Sequence, residues 1–489
     1  MTRPNLLLFM TDQQRADAVG AYGNPVVQTP HLDALAARGT RFAQAFAQHS
    51  ACSQSRISMM TGWYPHVAGH RTLDNLLKSW EPNLLATLRA AGYFVAWAGI
   101  RGDTFAPGVT AASTDYFGYV VKPSIDAIGT LHREVFPPDH RLRYAYYVGR
   151  LDGEVGLDFD EAAVRSAIAL LEEGLPEPFV LYLTLFAPHP PFGVVEPWYS
   201  LHDRGDVPAP VPAVTGKARF VTVLRERSGL DRLTDDDWAE IVATYYGMVS
   251  RVDDQLGRVL AALDCAGVAD RTVTCCFTDH GEYLGDYGLV EKWPSGFDDC
   301  LVRNPLVIAG PGVAETHVHE GLVEMIDLFP TLCELAETEA EHVQFGRSLV
   351  PVLAGRANVH RDAAFAEGGL RVDEEPQNEL LAGYPYDLKT SLLHDEPELA
   401  ARAIAVRTDA WTYVYRTREA DELYDRVQDP DETINVAGEP AHAAVVAELR
   451  DRILSWLADT SDVLPLTRDP RMEPALLAQF LASGGDPEP

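Results

Sequence analysis

The sequence predicts an α/β protein in which a large, mostly parallel sheet is flanked by helices and followed by a smaller C-terminal α+β domain. Three observations carry that expectation. Short apolar, β-rich runs alternate with stretches of helical periodicity along the first three quarters of the chain. Several of those runs stop at an Asp or His in a loop, the position where parallel sheets gather their chemistry. Beyond GRSLVPVLAGR the pattern gives way to a polar stretch, short strands and one amphipathic helix. A chain of 489 residues is well beyond one small domain. The division it suggests is a catalytic α/β domain over 1–355 and an α+β subdomain over 356–489.

In chain order, NLLLFMTD reads as a buried strand ending at Asp12, and HLDALAARG carries the first helical spacing. PNLLATLRAAGY reads as a helix and YFVAWAGI as the strand after it. EAAVRSAIALLEEG is a helix closed by Gly174, followed by the strand PFVLYLTLFAPH, which ends near His189. DWAEIVATYYGMVSRVDDQLGRVLAALDCAG is a long amphipathic helix, and RTVTCCFTDHGE a strand running into Asp279 and His280. Residues 370–400 are polar with Pro and Gly and read as a long loop or insertion. AIAVRTDAWTYVYR and ELYDRVQDPDE give two short strands, and AHAAVVAELRDRILSWLADT an amphipathic helix. The tail RDPRMEPALLAQFLASGGDPEP is expected to dock on the chain itself or on a neighbouring subunit, which leaves room for a homo-oligomer.

Composition narrows the function. The formal net charge of −32 disfavours nucleic acid and anionic membranes as partners. It also means that any anionic substrate needs a locally positive site. Only five lysines (78, 122, 217, 292 and 389) stand beside 35 arginines, so a lysine near a suspected site carries information. No run approaches the roughly 20 apolar residues of a membrane span. The opening MTRPNLLLFMTDQQR lacks a small-residue cleavage site and reads as a strand, so a cytoplasmic protein is expected. Six cysteines without a CxxC pair argue against a disulfide framework, and Cys275 and Cys276 in TVTCCFT read as core residues.

The segment HSACSQSRISMMTGWYPH, residues 49–66, raises the question of what Cys52 does. CSQSRISMMTG resembles the signature of the type I sulfatases of the alkaline-phosphatase-like superfamily: Cys-X-Pro-Ser-Arg, three residues, Leu or Met, then Thr-Gly. The likeness continues in family order through TDQQR, GWYPH, APHPPF, FTDHGEYLGDYGLVEKWP, EMIDLFPTL, FGRSLVPVLAG and ELYDRVQDPDETINVA. It implies the family fold and hydrolysis of a small or carbohydrate sulfate ester.

In that family the cysteine is oxidised by a formylglycine-generating machinery to an aldehyde. One hydroxyl of its hydrate attacks sulfur, and the other lets the resulting hemiacetal collapse and release sulfate. The resemblance further implies one divalent metal, Ca²⁺ before Mg²⁺, Mn²⁺ or Zn²⁺, held by Asp12, Gln13, Asp279, His280 and the group derived from Cys52. Arg56, four residues after Cys52 and on the same helix face, would balance charge there. Lys292 would hold the sulfate and His189 would protonate the leaving alcohol. His66 and His70 could line the pocket or merely satisfy loop carbonyls.

Two positions depart from the family. Gln54 stands where the signature has Pro, the residue that the oxidising machinery reads. In AGIRGDTFAPG the family lysine position is Ile100, with Arg101 and Asp103 beside it. Two further readings therefore stay open beside the sulfatase. One is a hydrolase of phosphonate monoesters or phosphodiesters in the same superfamily. The other is a binding protein that keeps the fold with Cys52 unmodified.

Overall fold

The computed structural model describes residues 3–124, 135–153, 156–373, 380–464, 466 and 473–482. Strands in chain order are β1 (Asn5–Thr11), β2 (Gly39–Phe46), β3 (Phe94–Ala98), β4 (Tyr116–Gly118), β5 (Tyr147–Arg150), β6 (Phe179–Thr184), β7 (Phe192–Val194) and β8 (Thr272–Thr278). They continue with β9 (Arg303–Asn304), β10 (Leu306–Ala309), β11 (His317–Glu324), β12 (Ala364–Gly368), β13 (Ala403–Arg407), β14 (Trp411–Arg416) and β15 (Glu422–Asp425). The longer helices are α1 (Pro30–Ala37), α2 (Cys52–Thr61), α3 (Leu84–Ala90), α4 (Phe159–Glu173), α5 (Asp235–Cys265), α6 (Leu328–Leu335), α7 (Asp387–Asp395) and α8 (Ala443–Thr460).

The large sheet runs β11-β2-β10-β8-β1-β6-β3-β4, with β9 added to β2. Its centre is parallel: β1 lies between β6 and β8, and β3 joins β6 to β4. The antiparallel β10 stitches this block to β2. Strands β1, β6 and β8 are buried at every residue, because helices cover both faces; β1 and β6 read as apolar runs, and β8 mixes threonine with Val, Cys and Phe. Alternate β1 residues serve opposite layers. Leu7 and Phe9 pack with α4 and α5. Leu6, Leu8 and Met10 pack with α2, α3 and α6. Helix α4 starts at Asp158, whose side chain caps the Glu161 N–H. Helix α5 starts on a capping box between Thr234 and Asp237.

Three expectations needed correction. Residues 370–400 are more than a loop: they hold α7 and a turn at Pro397–Ala400, and within them 374–379 lie outside the described residues. Leu392 and Leu393 of α7 are buried in the main core, which holds this short helix despite its polar sequence. The C-terminal sheet has four antiparallel strands, β12-β13-β14-β15, where two were expected. Its AIAVRTDAWTYVYR stretch folds into two strands because Thr408 N–H donates to the Trp411 carbonyl at 2.9 Å and closes a turn. Strands β2, β10 and β11 were not marked in the sequence at all. In the tail, the described helix Pro474–Ala482 exposes Leu476, Leu477 and Leu481, and residues 467–472 and 483–489 lie outside the described residues. Among the described residues no helix is long and apolar enough to cross a membrane.

Candidate active site

Because β1, β3, β6 and β8 are parallel, their carboxyl ends share one sheet edge. That edge delivers Asp12 and Gln13 from β1, Arg101 from the loop after β3, His189 from the loop after β6, and Asp279 and His280 from β8. Helix α2 begins at Cys52 against the same edge. Every residue of α2 is buried, and the helix closes on Gly62 at φ +70°, a left-handed cap.

Asp12, Cys52, Asp279 and His280 form one buried group whose ligand atoms all lie within 4.8 Å of one another. Cys52 Sγ sits 3.1 Å from His280 Nε2 and 3.7 Å from an Asp12 oxygen. His280 Nδ1 lies 2.9 Å from the Gly281 carbonyl, which can only accept, so the ring proton sits on Nδ1 and the Nε2 lone pair faces the group. Arg56 is fully buried and spends its guanidinium on three carboxylates: Asp279 at 2.7 Å, Asp12 at 2.9 Å and Asp103 at 3.0 Å. Arg101 pairs with Asp12 and Asp103 and lies 3.7 Å over the Phe186 ring. Three carboxylates face two guanidiniums here, which leaves negative charge for a cation to balance. Two carboxylates, an imidazole lone pair and a cysteine-derived atom within one small sphere are a donor set that fits a divalent metal.

Gln13 stands at the edge of this group. Its N–H donates to Asp279 at 3.0 Å, while its amide oxygen accepts from Lys292 at 2.6 Å and its amide nitrogen donates to Glu282. Lys292 therefore links Gln13 to the loop residues around it, donating also to His189 Nε2 at 3.1 Å and to Glu291 at 2.6 Å. The other His189 nitrogen donates to the Pro190 carbonyl at 2.6 Å, so the ring is neutral with an accepting Nε2. Burial, then Lys292 and Arg101, hold its pKa well below that of ordinary histidine.

Electrostatics follow the same geometry. Burial and the neighbouring Asp12 push the Cys52 thiol well above its usual pKa, so the unmodified side chain is a neutral thiol rather than a thiolate. Burial also works against the Asp279 carboxylate, yet His280 and Arg56 hold it below its usual value. Burial opposes the Lys292 ammonium, but Cys52, Glu291 and Asp12 around it raise its pKa. Burial and Glu291 lift the Glu282 carboxyl to about 7.

A cleft of about 370 Å³ opens onto Cys52. Arg101, His189, Glu291 and Lys292 line it with polar groups, and Leu73, Phe186, Pro190, Leu380 and Tyr386 with apolar ones. Lys389 from α7 lines it as well and donates to Glu291 at 2.6 Å. The sequence reading missed Glu291, Tyr386 and Lys389. The scarcity of lysine was the signal that could have singled out Lys389.

His66 and His70 resolve to structural roles. His66 bonds Glu367 at 2.5 Å and the Thr460 carbonyl at 2.9 Å, and His70 bonds the Asn75 carbonyl at 2.7 Å. Gln54 is buried in α2 with neither amide atom hydrogen-bonded in the structure. Cys275 and Cys276 are core residues of β8, and all six cysteines are free.

Comparison with known proteins agrees with this architecture. A sequence model of the sulfatase family matches residues 4–338. The multifunctional alkaline phosphatase superfamily protein PehA of Trinickia caryophylli is 29% identical, over 94% of this chain and 96% of its own. The choline-sulfatase of Rhizobium meliloti is 25% identical, over 94% of this chain and 88% of its own. The crystal structure of the phosphonate monoester hydrolase of Agrobacterium radiobacter superposes with a TM-score of 0.76 at 27% identity, covering 96% of this chain and all of that one.

Proposed function

The chain belongs to the sulfatase family, and on that premise we propose that it is a metal-dependent hydrolase of sulfate esters whose nucleophile derives from Cys52. The observation that carries this reading is the meeting of Asp12, Cys52, Asp279 and His280 in one buried group, with Cys52 opening onto a cleft that Lys292 and His189 also line. With a divalent cation held by the two acidic ligands and the neutral imidazole, that cation and the Lys292 ammonium would suit an anionic ester far better than a neutral substrate.

Bound among these residues, a divalent cation supplies positive charge toward the ester oxygens. Ca²⁺ is our first choice once Cys52 is an aldehyde hydrate, because the donors are then mostly oxygen. The histidine ligand leaves room for Mn²⁺ or Zn²⁺, and an unmodified thiol shifts the preference toward Zn²⁺. The hydrate supplies an oxygen nucleophile that the protonated Cys52 thiol does not.

The remaining roles belong to this chain's own side chains. Arg56 and Arg101 fix Asp12 and Asp279 in place, so these carboxylates need little reorganisation. Lys292 holds an ester oxygen by charge. His189 lines the cleft beside Lys292 and is the general acid of this reading: a proton taken up on its Nε2 would pass to the departing alkoxide, while Lys292 keeps its charge. The cleft of about 370 Å³ suits a small ester or one sugar unit.

The extended match to a phosphonate monoester hydrolase supports a second reading, since sulfate and phosphonate esters share tetrahedral geometry and one anionic charge. Parallel assays of 4-nitrophenyl sulfate and 4-nitrophenyl phenylphosphonate with metal-loaded protein decide between them. The sulfatase reading expects the larger kcat/KM on the sulfate and a loss of about 100-fold or more in His280→Ala. A larger value on the phosphonate favours the second reading, and no turnover of either ester contradicts both.

A further inference from the structure

Lys389 comes from a part of the chain far from the signature motifs, yet it lines the same cleft as Cys52 and Lys292. Glu291 is 1% exposed and sits between two lysines, with Lys292 Nζ 2.6 Å from one carboxylate oxygen and Lys389 Nζ 2.6 Å from the other. Its backbone is left-handed at φ +68°, a conformation costly for a residue with a side chain, and the carboxylate is held on both sides. Burial works to raise the Glu291 carboxyl, but Lys292 and Lys389 pull it far below the usual range. It is therefore an anion directly beside the lysine assigned to the substrate's anionic group.

The consequence is a matter of charge. Lys292 and Glu291 alone sum to zero, and a neutral pair does little for an anionic ester in a protein of net charge −32. Adding Lys389 makes the trio +1. Such charges act strongly on one another in a buried, weakly screened setting. Helix α7 is what brings Lys389 there, through buried Thr390, Leu392 and Leu393.

We propose that Lys389 is a positioning residue of the active site: through Glu291 it restores net positive charge at the anion site and orients Lys292. The inference rests on the reading of Lys292 as the anion's partner. Its ligand chemistry is a tetrahedral oxyanion ester, and inorganic sulfate is the probe.

The experiment is a calorimetric titration of inorganic sulfate into metal-loaded protein, alongside KM and kcat for 4-nitrophenyl sulfate. The proteins are wild type, Lys389→Gln, Lys389→Arg, Glu291→Gln, the double variant Glu291→Gln/Lys389→Gln, and Lys292→Gln. Lys389→Gln is expected to weaken sulfate binding by about tenfold or more and to raise KM more than it lowers kcat. Lys389→Arg should keep most of the affinity, and Glu291→Gln should bind sulfate more tightly than wild type. The double variant should regain affinity, because Lys292 then stands beside a neutral amide and the net charge is again +1. A role in packing alone predicts no such recovery. A folded Lys389→Gln that binds sulfate like wild type overturns the proposal, as does a double variant no better than Lys389→Gln. Wild-type affinity in Lys292→Gln overturns the underlying assignment of Lys292 instead.

Discussion

Arg56 holds the buried polar network of the site together. It has no exposed surface, and each side of its guanidinium meets a carboxylate: Asp12, Asp103 and Asp279. A buried ion network of this kind gives modest net stability when complete, but removing one partner strands the others in a weakly polar interior. Arg56→Ala is therefore expected to cost about 3–5 kcal/mol of stability and most of the hydrolase activity. Arg56→Lys should recover little, because one ammonium cannot reproduce the planar fork that reaches three carboxylates. Thermal denaturation with and without added divalent metal checks this. Metal should narrow the deficit of the alanine variant by repaying charge to Asp12 and Asp279. Equal stability of wild type and Arg56→Ala would contradict the network. Cys52 makes the complementary point, since a thiol whose pKa is raised by burial and Asp12 is a poor nucleophile as it stands.

Helix α5 carries a test at the scale of one element. Asp237 closes its capping box, receives Thr234 N–H at 2.9 Å, and binds both arms of Arg141 at 2.7 Å. The Arg141 hydrogen bond is the largest cause that lowers the Asp237 pKa to about 2 from 3.8. Because the folded value is the lower one, the stabilisation is complete above pH 4 and drains away as the pH falls through 2. Arg141 is 46% exposed, so solvent screens the pair and the cap dominates. Asp237→Asn is expected to lose about 1–2 kcal/mol at pH 7, with the difference from wild type vanishing between pH 4 and pH 2 in denaturant titrations. A constant difference across that range would contradict the carboxylate's role.

The same scale shows what the sequence could reveal. Strands β1, β3 and β6 were legible because they are buried on both faces and read as apolar runs, β8 because its Val, Cys and Phe stand among β-branched threonines, and the site residues at their ends followed. Strand β2, GTRFAQAF, was illegible because Arg41 and Gln44 interrupt it and its partners β10 and β11 come more than 250 residues later. Helix α7 was hidden by its polar sequence, since only tertiary burial of Leu392 and Leu393 holds it. Lys389 and Tyr386 were lost with it. The loop carrying Lys292 is likewise fixed by remote residues: Trp293 donates to the Leu399 carbonyl at 2.9 Å and Arg416 to the Ser295 carbonyl at 3.0 Å.

For the whole molecule, the mostly parallel sheet delivers Asp12, Asp279 and His280 at one edge, helix α2 sets Cys52 against them and the loop after β8 carries Lys292, while the chain after β12 supplies Lys389 and Tyr386 and braces the loop that follows Lys292. At a net charge of −32 the surrounding field repels anions, so the anionic ester proposed as substrate would depend on the local positive charge of Lys292 and Lys389. The claim on which the enzymology depends is that Cys52 is converted despite Gln54. The direct measurement is the mass of the tryptic peptide of residues 42–56, FAQAFAQHSACSQSR, from protein made with its native maturation machinery. Conversion of Cys52 lowers that mass by the replacement of CH₂–SH with CHO, and this is the expected result. An unaltered thiol in protein that turns over sulfate esters would contradict it.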